Sequence, residues 1–451
     1  MGKQPKSETS YANRRKKIIK QLKGEAAIFP AAPHFLASRD QHHPFRQNSD
    51  FFYLTGLTEP QAVLFLTGST KGPRSVLFLR ERNDDDARWN GERIGIKRAK
   101  RRFDVDEVRD ITQLENDLPE LAANCSVLHY APGCNPVTDP LIWRLLQNLS
   151  GPRLNFPHTL KDSRLITAAM RFVKDRYEIQ HLKHAAGITA KAFLNFLPQA
   201  KLARSEKHAA QILEAEFARC GAHGLAFPTI VASGRNATTL HHEPKLQPLW
   251  KHELVLVDCG AVFQGYCADL TRTFPVSGTF REPQARVYDA VHRALHDALD
   301  KTKPGSTLEI IHAAALRAIT SGLISLGILK GSVSDLVQRE AYRNYFMHRT
   351  SHWLGLDVHD AFPLLLNNAP IDARNHPLEP GHVITIEPGI YLDAKDESVP
   401  VQYRGIGVRL EESVLITTGG CAVLTAHVPT AREDIEALLA PQTVISREEK
   451  R

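Results

Sequence analysis

No stretch of this 451-residue chain approaches the roughly 18 uninterrupted apolar residues of a membrane span, so nothing in it reads as a transmembrane helix. Its six cysteines, Cys125, Cys134, Cys220, Cys259, Cys267 and Cys421, show no C-x-x-C spacing. That speaks against a cysteine-bound structural zinc, and reduced thiols are expected. No apolar signal-peptide core follows the first residues, so a cytoplasmic protein is expected. There is no tandem array and no low-complexity tract. The net charge of +7 collects in Arg14-Arg15-Lys16-Lys17 and in Lys97 to Arg102, neither of which carries interleaved aromatics. A solvated basic surface is the expectation, with no nucleic-acid and no membrane partner.

What is present fits a two-domain enzyme, because 451 residues exceed what one core usually organises. Residues 1–25 read as a basic N-terminal arm, either frayed or an amphipathic helix. Residues 26–165 alternate strand-like runs (Ala62 to Leu66, Ser75 to Leu79) with helical stretches, giving a mixed α/β domain. A junction is expected within 155–171, a catalytic domain over 166–440 and a tail over 441–451. Helical periodicity covers Phe172 to Phe196, Ser205 to Cys220 and Glu282 to Leu299. A further helix opens at Ser306, with Ser306 as cap, Glu309 reaching back, and Leu308, Ile311, Ala315, Leu316 and Ile319 turned to a sheet.

Four acids and one imidazole stand out in the second half: Asp258, Asp269, His352, Glu387 and Glu411. Asp258 and Glu387 each end an apolar strand, Leu254 to Val257 and Val383 to Ile386, and each is followed by x-Gly. Buried carboxylates gathered in one place require compensating positive charge, which a pair of divalent cations supplies. A turn at Phe263-Gln264 puts Asp258 directly opposite Asp269, and a bulge at Gly265 shifts that register. Alternation from Gly405 to Glu411 puts Arg409 and Glu411 on one face, where Arg409 is either an orienting group or an ordinary salt-bridge partner. Between Met347 and Asp360 lie His348, His352 and His359, while His241 and His242 look like a solvent-facing loop pair. Such a donor set suits Mn²⁺, Co²⁺ or Zn²⁺.

Gly265 to Pro275 resembles the aspartate hairpin of the pita-bread metallopeptidases. Ser351 to Asp360, Glu387-Pro388-Gly389-Ile390-Tyr391 and Tyr403 to Glu411 resemble aminopeptidase P, the Xaa-Pro aminopeptidase family. Phe29 to Pro33 and Pro44 to Gly56 are similar to its bacterial-type branch, and the likeness runs from about Ala26 to Ile435. The resemblance implies an α/β (α+β) fold: a mixed α/β N-terminal domain and a pita-bread catalytic domain with pseudo-twofold symmetry. It implies a dinuclear site, usually manganese-loaded, held by Asp258, Asp269, His352, Glu387 and Glu411, with Asp269 and Glu411 bridging. By the same resemblance Glu387 moves protons, His241, His348 and His359 hold the substrate, and Arg409 sits behind the ligands or in the pocket. The implied reaction is hydrolysis of the first peptide bond before proline through a hydroxide bridging the two ions. The implied assembly is a dimer or tetramer. A prolidase and a metal-free binding protein of the same fold are the alternatives. Arg349 stands where the family commonly has Gly, His242 where Tyr is frequent, and Cys259 beside Asp258 suggests sensitivity to oxidation.

Overall fold

The computed structural model describes residues 7–440 except 70, 124, 148–156 and 367–368. The expected tail (441–451) and residues 155–156 of the expected junction lie outside the described residues. The chain divides after Met170 into two compact units.

The first unit is built on six strands: β1 (Ala26–Pro30), β2 (Val63–Thr67), β3 (Ser75–Leu79), β4 (Glu107–Asp110), β5 (Val127–His129) and β6 (Thr159–Lys161), in spatial order β4-β3-β2-β1-β5-β6. The central β1-β2-β3 pairs are antiparallel, while β4, β5 and β6 join in parallel. The three central strands are buried at every position, which is why they read as continuous apolar runs rather than alternating ones. The opening basic segment is a helix, α1 (Ser7–Leu22), packed on α2 (Ser49–Thr55). Half of its charge cluster is not solvated. Arg15 is buried and donates to the Leu54 and Asp104 carbonyls, and Arg14 donates to the Tyr53 carbonyl and lies over the Tyr53 ring. Long guanidinium side chains cover apolar surface as readily as they meet water, so a run of basic letters does not reveal which of them face inward.

In the second unit, helices α3 (Arg176–Ala200) and α4 (Glu206–Arg219) pack with an antiparallel sheet of β7 (Ile230–Ser233), β8 (Leu254–Cys259) and β9 (Leu270–Pro275), with β8 central. Helices α5 (Glu282–Lys301) and α6 (Leu308–Ser325) accompany the second set: β10 (Val383–Ile386), β13 (Glu412–Thr417) and β14 (Gly420–Val423), plus the pair β11 (Gly389–Tyr391) and β12 (Gly407–Arg409). Two helices and an acid-bearing hairpin thus recur in each half, around one continuous apolar core.

Two helix starts differ from expectation. α3 begins at Arg176, not Phe172, because Asp175 and Glu178 form a reciprocal capping box. α6 is capped by Thr307, whose hydroxyl accepts from the Ile310 N–H, and Glu309 pairs with Arg349 instead of reaching back. The apolar face of α6 is buried as expected but packs chiefly along α5. α6 is long and apolar enough to cross a membrane, and its Ile311, Ala315 and Ile319 lie in this core.

Candidate metal centre

The first hairpin turns at Gln264-Gly265, where both residues take positive φ (50° and 83°). A two-residue turn of this hand matches the strand twist and fixes the register. The turn lies one residue later than the sequence suggested, so Asp258 faces Thr271, and Asp269 is displaced by two positions. The displacement is even, so both aspartates stay on one face. Gly260 is required here, since an added Cβ would stand 1.9 Å from the Ala268 carbonyl oxygen. In the second hairpin, Ile386 faces Glu412 and Gly389 faces Arg409, a register that brackets Glu387 and Glu411 as a directly opposed pair.

Hydrogen bonds stitch the two hairpins together. The Glu411 N–H donates to the Thr271 carbonyl (3.0 Å), and the Thr271 hydroxyl donates to Glu411 Oε2 (2.7 Å). Thr273 Oγ1 donates to the Arg409 carbonyl and accepts from its N–H. A Cβ on Gly407 would come within 2.2 Å of the Ala237 carbonyl, so glycine permits this approach. The histidine loop runs along β10: the Thr385 N–H bonds the His352 carbonyl (2.9 Å) and the Glu387 N–H bonds the Thr350 carbonyl (2.7 Å).

The result is a convergence. Oxygens of Asp269 and Glu411 and a ring nitrogen of His352 lie within 4.8 Å of one another. His352 Nε2 is 3.5 Å from Asp269 Oδ2 and 3.7 Å from Glu387 Oε1. His352 Nδ1–H donates to the Trp353 carbonyl (3.1 Å), which leaves the Nε2 lone pair facing the acids. Burial and the neighbouring carboxylates push Asp269 and Glu387 well above the usual carboxylate range and Glu411 up to about 7. Asp258 is held by Arg409, whose Nη2 donates to Oδ2 at 2.7 Å. Oδ1 of both Asp258 and Asp269 is buried without a hydrogen-bond partner. Acceptor atoms left bare, carboxylates starved of positive charge and one correctly oriented imidazole together fit divalent cations.

His348 donates from Nδ1 to the Arg349 carbonyl (2.8 Å) and accepts at Nε2 from Tyr391 OH (2.7 Å), which in turn accepts from Arg409 Nη1 (3.2 Å). Burial and then Arg409 push His348 down to about 3, so the ring is neutral. His359 is exposed, with its ring 4.4 Å from that of His352; partial burial and then His352 lower its pKa. His241 is also exposed and bears electrostatically on both His348 and His359. His242, expected in solvent, is buried: its Nε2 bonds Glu206 Oε2 at 2.8 Å.

Several supporting residues had no signal in the sequence. Glu206, fully buried, also accepts from the Ser233 N–H and hydroxyl, Asn236 Nδ2 and the Lys245 N–H, pinning the segment that carries His241. Asp360, buried with Arg171 and Lys174, fixes the far end of the histidine loop. Arg272 donates to the Glu411 carbonyl (2.6 Å) and pairs with Glu412. Tyr391 shares strand parity with Glu387, but parity alone does not assign it a role. The Arg349 side chain is taken up by Glu309. Cys259 is completely buried, and burial pushes its thiol up, which works against the expected sensitivity to oxidation.

Residues 180–418 match the family described as metallopeptidase family M24. The chain belongs to that family. Residues 11–129 of this M24 protein match the aminopeptidase P N-terminal domain. It is 39% identical to the Xaa-Pro aminopeptidase of Escherichia coli (strain K12) over 96% of this chain and 98% of that one. It is 37% identical to that of Haemophilus influenzae over 97% and 98%. Its structure matches an Escherichia coli aminopeptidase P variant in complex with substrate at a TM-score of 0.91 (37% identity, 97% and 99% covered). It matches the Pseudomonas aeruginosa aminopeptidase PepP at 0.90 (36%, 98% and 99%). The likeness to aminopeptidase P thus spans both units of the M24 chain.

Proposed function

We propose that this protein is a metal-dependent Xaa-Pro aminopeptidase that removes the first residue of peptides with proline second. The observation that carries the reading is the convergence of Asp269, Glu411 and His352 in a chain similar to aminopeptidase P from end to end. Asp258, Asp269, His352, Glu387 and Glu411 would hold two divalent ions, with Mn²⁺ favoured by the carboxylate-rich donors and Co²⁺ or Zn²⁺ admissible. Bound there, the ions supply Lewis acidity that polarises the scissile carbonyl and makes a water nucleophilic at neutral pH.

The chain's own groups do the rest. Glu387, 3.7 Å from His352 Nε2 and 3.6 Å from His348 Nδ1, is placed to take a proton and return it to the leaving proline nitrogen. Arg409 fixes one Asp258 oxygen and leaves the other buried without a hydrogen-bond partner, free to serve as a ligand. Both His348 nitrogens are engaged, so His348 acts through Tyr391 and Arg409, whereas exposed His241 and His359 are the rings that meet substrate. A cytoplasmic setting, domain limits near 26–165 and 166–440, and a dimer or tetramer complete the proposal. Trp89, 89% exposed, is the candidate interface anchor.

The test is a peptidase assay on metal-stripped protein with Mn²⁺, Co²⁺ or Zn²⁺ restored, comparing a Xaa-Pro-Xaa tripeptide with a Xaa-Pro dipeptide. Metal-dependent cleavage of the tripeptide is expected. Cleavage of the dipeptide alone would make it a prolidase.

A further inference from the structure

His292 and His296 lie outside the carboxylate centre and have no part in it. Both stand on α5, four residues apart and therefore on one face, one turn from each other. Their Nε2 atoms are 3.0 Å apart, with ring centroids at 4.4 Å and planes crossing at 65°. Two imidazole nitrogens bound side by side to one ion at about 2.0–2.1 Å are themselves about 2.9–3.4 Å apart, for bond angles from square to tetrahedral. The pair therefore already has the spacing of a chelate.

A hydrogen bond between two neutral rings gives a similar distance, but the surroundings point to a cation. Thr430 Oγ1 converges on the same His292 nitrogen at 3.3 Å. Tyr288, whose ring stacks on His292, donates from its hydroxyl to the Thr430 carbonyl (2.7 Å), so His292 and Thr430 are fixed relative to each other. Asp289 and Glu433 add negative potential beside His292, offset by Arg272 and by Arg432, which pairs with Asp289 at 3.2 Å and with Glu433 at 3.1 Å. His296 is exposed, which gives an ion its way in.

We propose that His292 and His296, with the Thr430 hydroxyl as a weaker third donor, bind one late first-row divalent ion of the Zn²⁺ class. Two imidazoles bind Cu²⁺, Ni²⁺ and Zn²⁺ far better than Mn²⁺, whereas the carboxylate centre also accommodates Mn²⁺. Water fills the remaining positions.

Equilibrium dialysis of the full chain against micromolar Zn²⁺, followed by metal analysis, tests this. The His292→Gln/His296→Gln double variant should bind one equivalent fewer than the unaltered protein, and His296→Gln alone should lose about tenfold or more in affinity at that site. Asp269→Ala should lose ions from the other centre and keep this one. Because His296 is exposed, its substitution leaves the fold intact, which circular dichroism checks. A folded double variant with undiminished Zn²⁺ stoichiometry overturns the proposal.

Discussion

Glu387 and Asp269 share an environment that no isolated carboxylate tolerates, both pushed toward protonation by burial and by each other's neighbours. Divalent ions restore their charge. Glu387 differs from the other acids in also standing 3.6 Å from His348 Nδ1, beside a neutral imidazole. Replacing it with alanine removes a ligand and the proposed proton carrier together. Glu387→Ala should lower turnover of a Xaa-Pro-Xaa peptide by at least about 100-fold while leaving the circular dichroism spectrum unchanged. Near-normal turnover would remove Glu387 from the reaction. Of the five ligand candidates, Asp258 and Glu387 were readable as acids ending apolar strands, whereas Asp269, His352 and Glu411 stood out by residue type and through the family resemblance. The role of Tyr391 between His348 and Arg409 was not, because a tyrosine in a buried strand reads equally as packing.

Among the elements, the hairpins show what sequence carries and what it leaves open. The apolar runs gave β8 and β10 nearly to the residue, since buried strands are bounded by the loss of apolar character. Register was not available, because it depends on whether a two-residue turn sits at Phe263-Gln264 or Gln264-Gly265, and only backbone φ decides. The segment carrying His241 presents the same problem at longer range. Glu206 lies in α4, and nothing local to His242 reveals that the two meet. Glu206→Ala leaves five donors without their acceptor, including buried His242 and Ser233. It should cost about 2–4 kcal/mol of stability in denaturant titration. It should also raise KM more than a stability loss alone does, since His241 is released. An unchanged midpoint and KM would show the network to be dispensable.

For the molecule as a whole, neutral buried histidines set the acid limit. His312 is pushed down to about 4 and His382 to about 3, in both cases chiefly by burial. Their folded pKa values lie below the unfolded value near 6.5, so the unfolded chain binds more protons once pH drops below that value. Their stabilisation is complete above pH 6.5 and declines below it, by up to about 2 kcal/mol each at pH 5. Denaturation midpoints at pH 7.5 and 5.0 should differ less in His382→Gln than in the unaltered protein, and an equal difference would exclude His382 as a contributor. The two-unit plan and the α/β class followed from length and pattern. The inward-facing half of the basic α1 did not, because charge alone does not tell a buried guanidinium from a solvated one.

The central claim is that four carboxylates and one imidazole enclose paired cations. Bound Mn²⁺ per chain, measured after chelator stripping and reconstitution, tests it most directly, because the histidine pair on α5 has little affinity for that ion. The expected value is close to two for the unaltered protein and no more than one for Glu411→Ala. A folded protein that retains no Mn²⁺, or a Glu411→Ala variant that retains the full complement, contradicts the account.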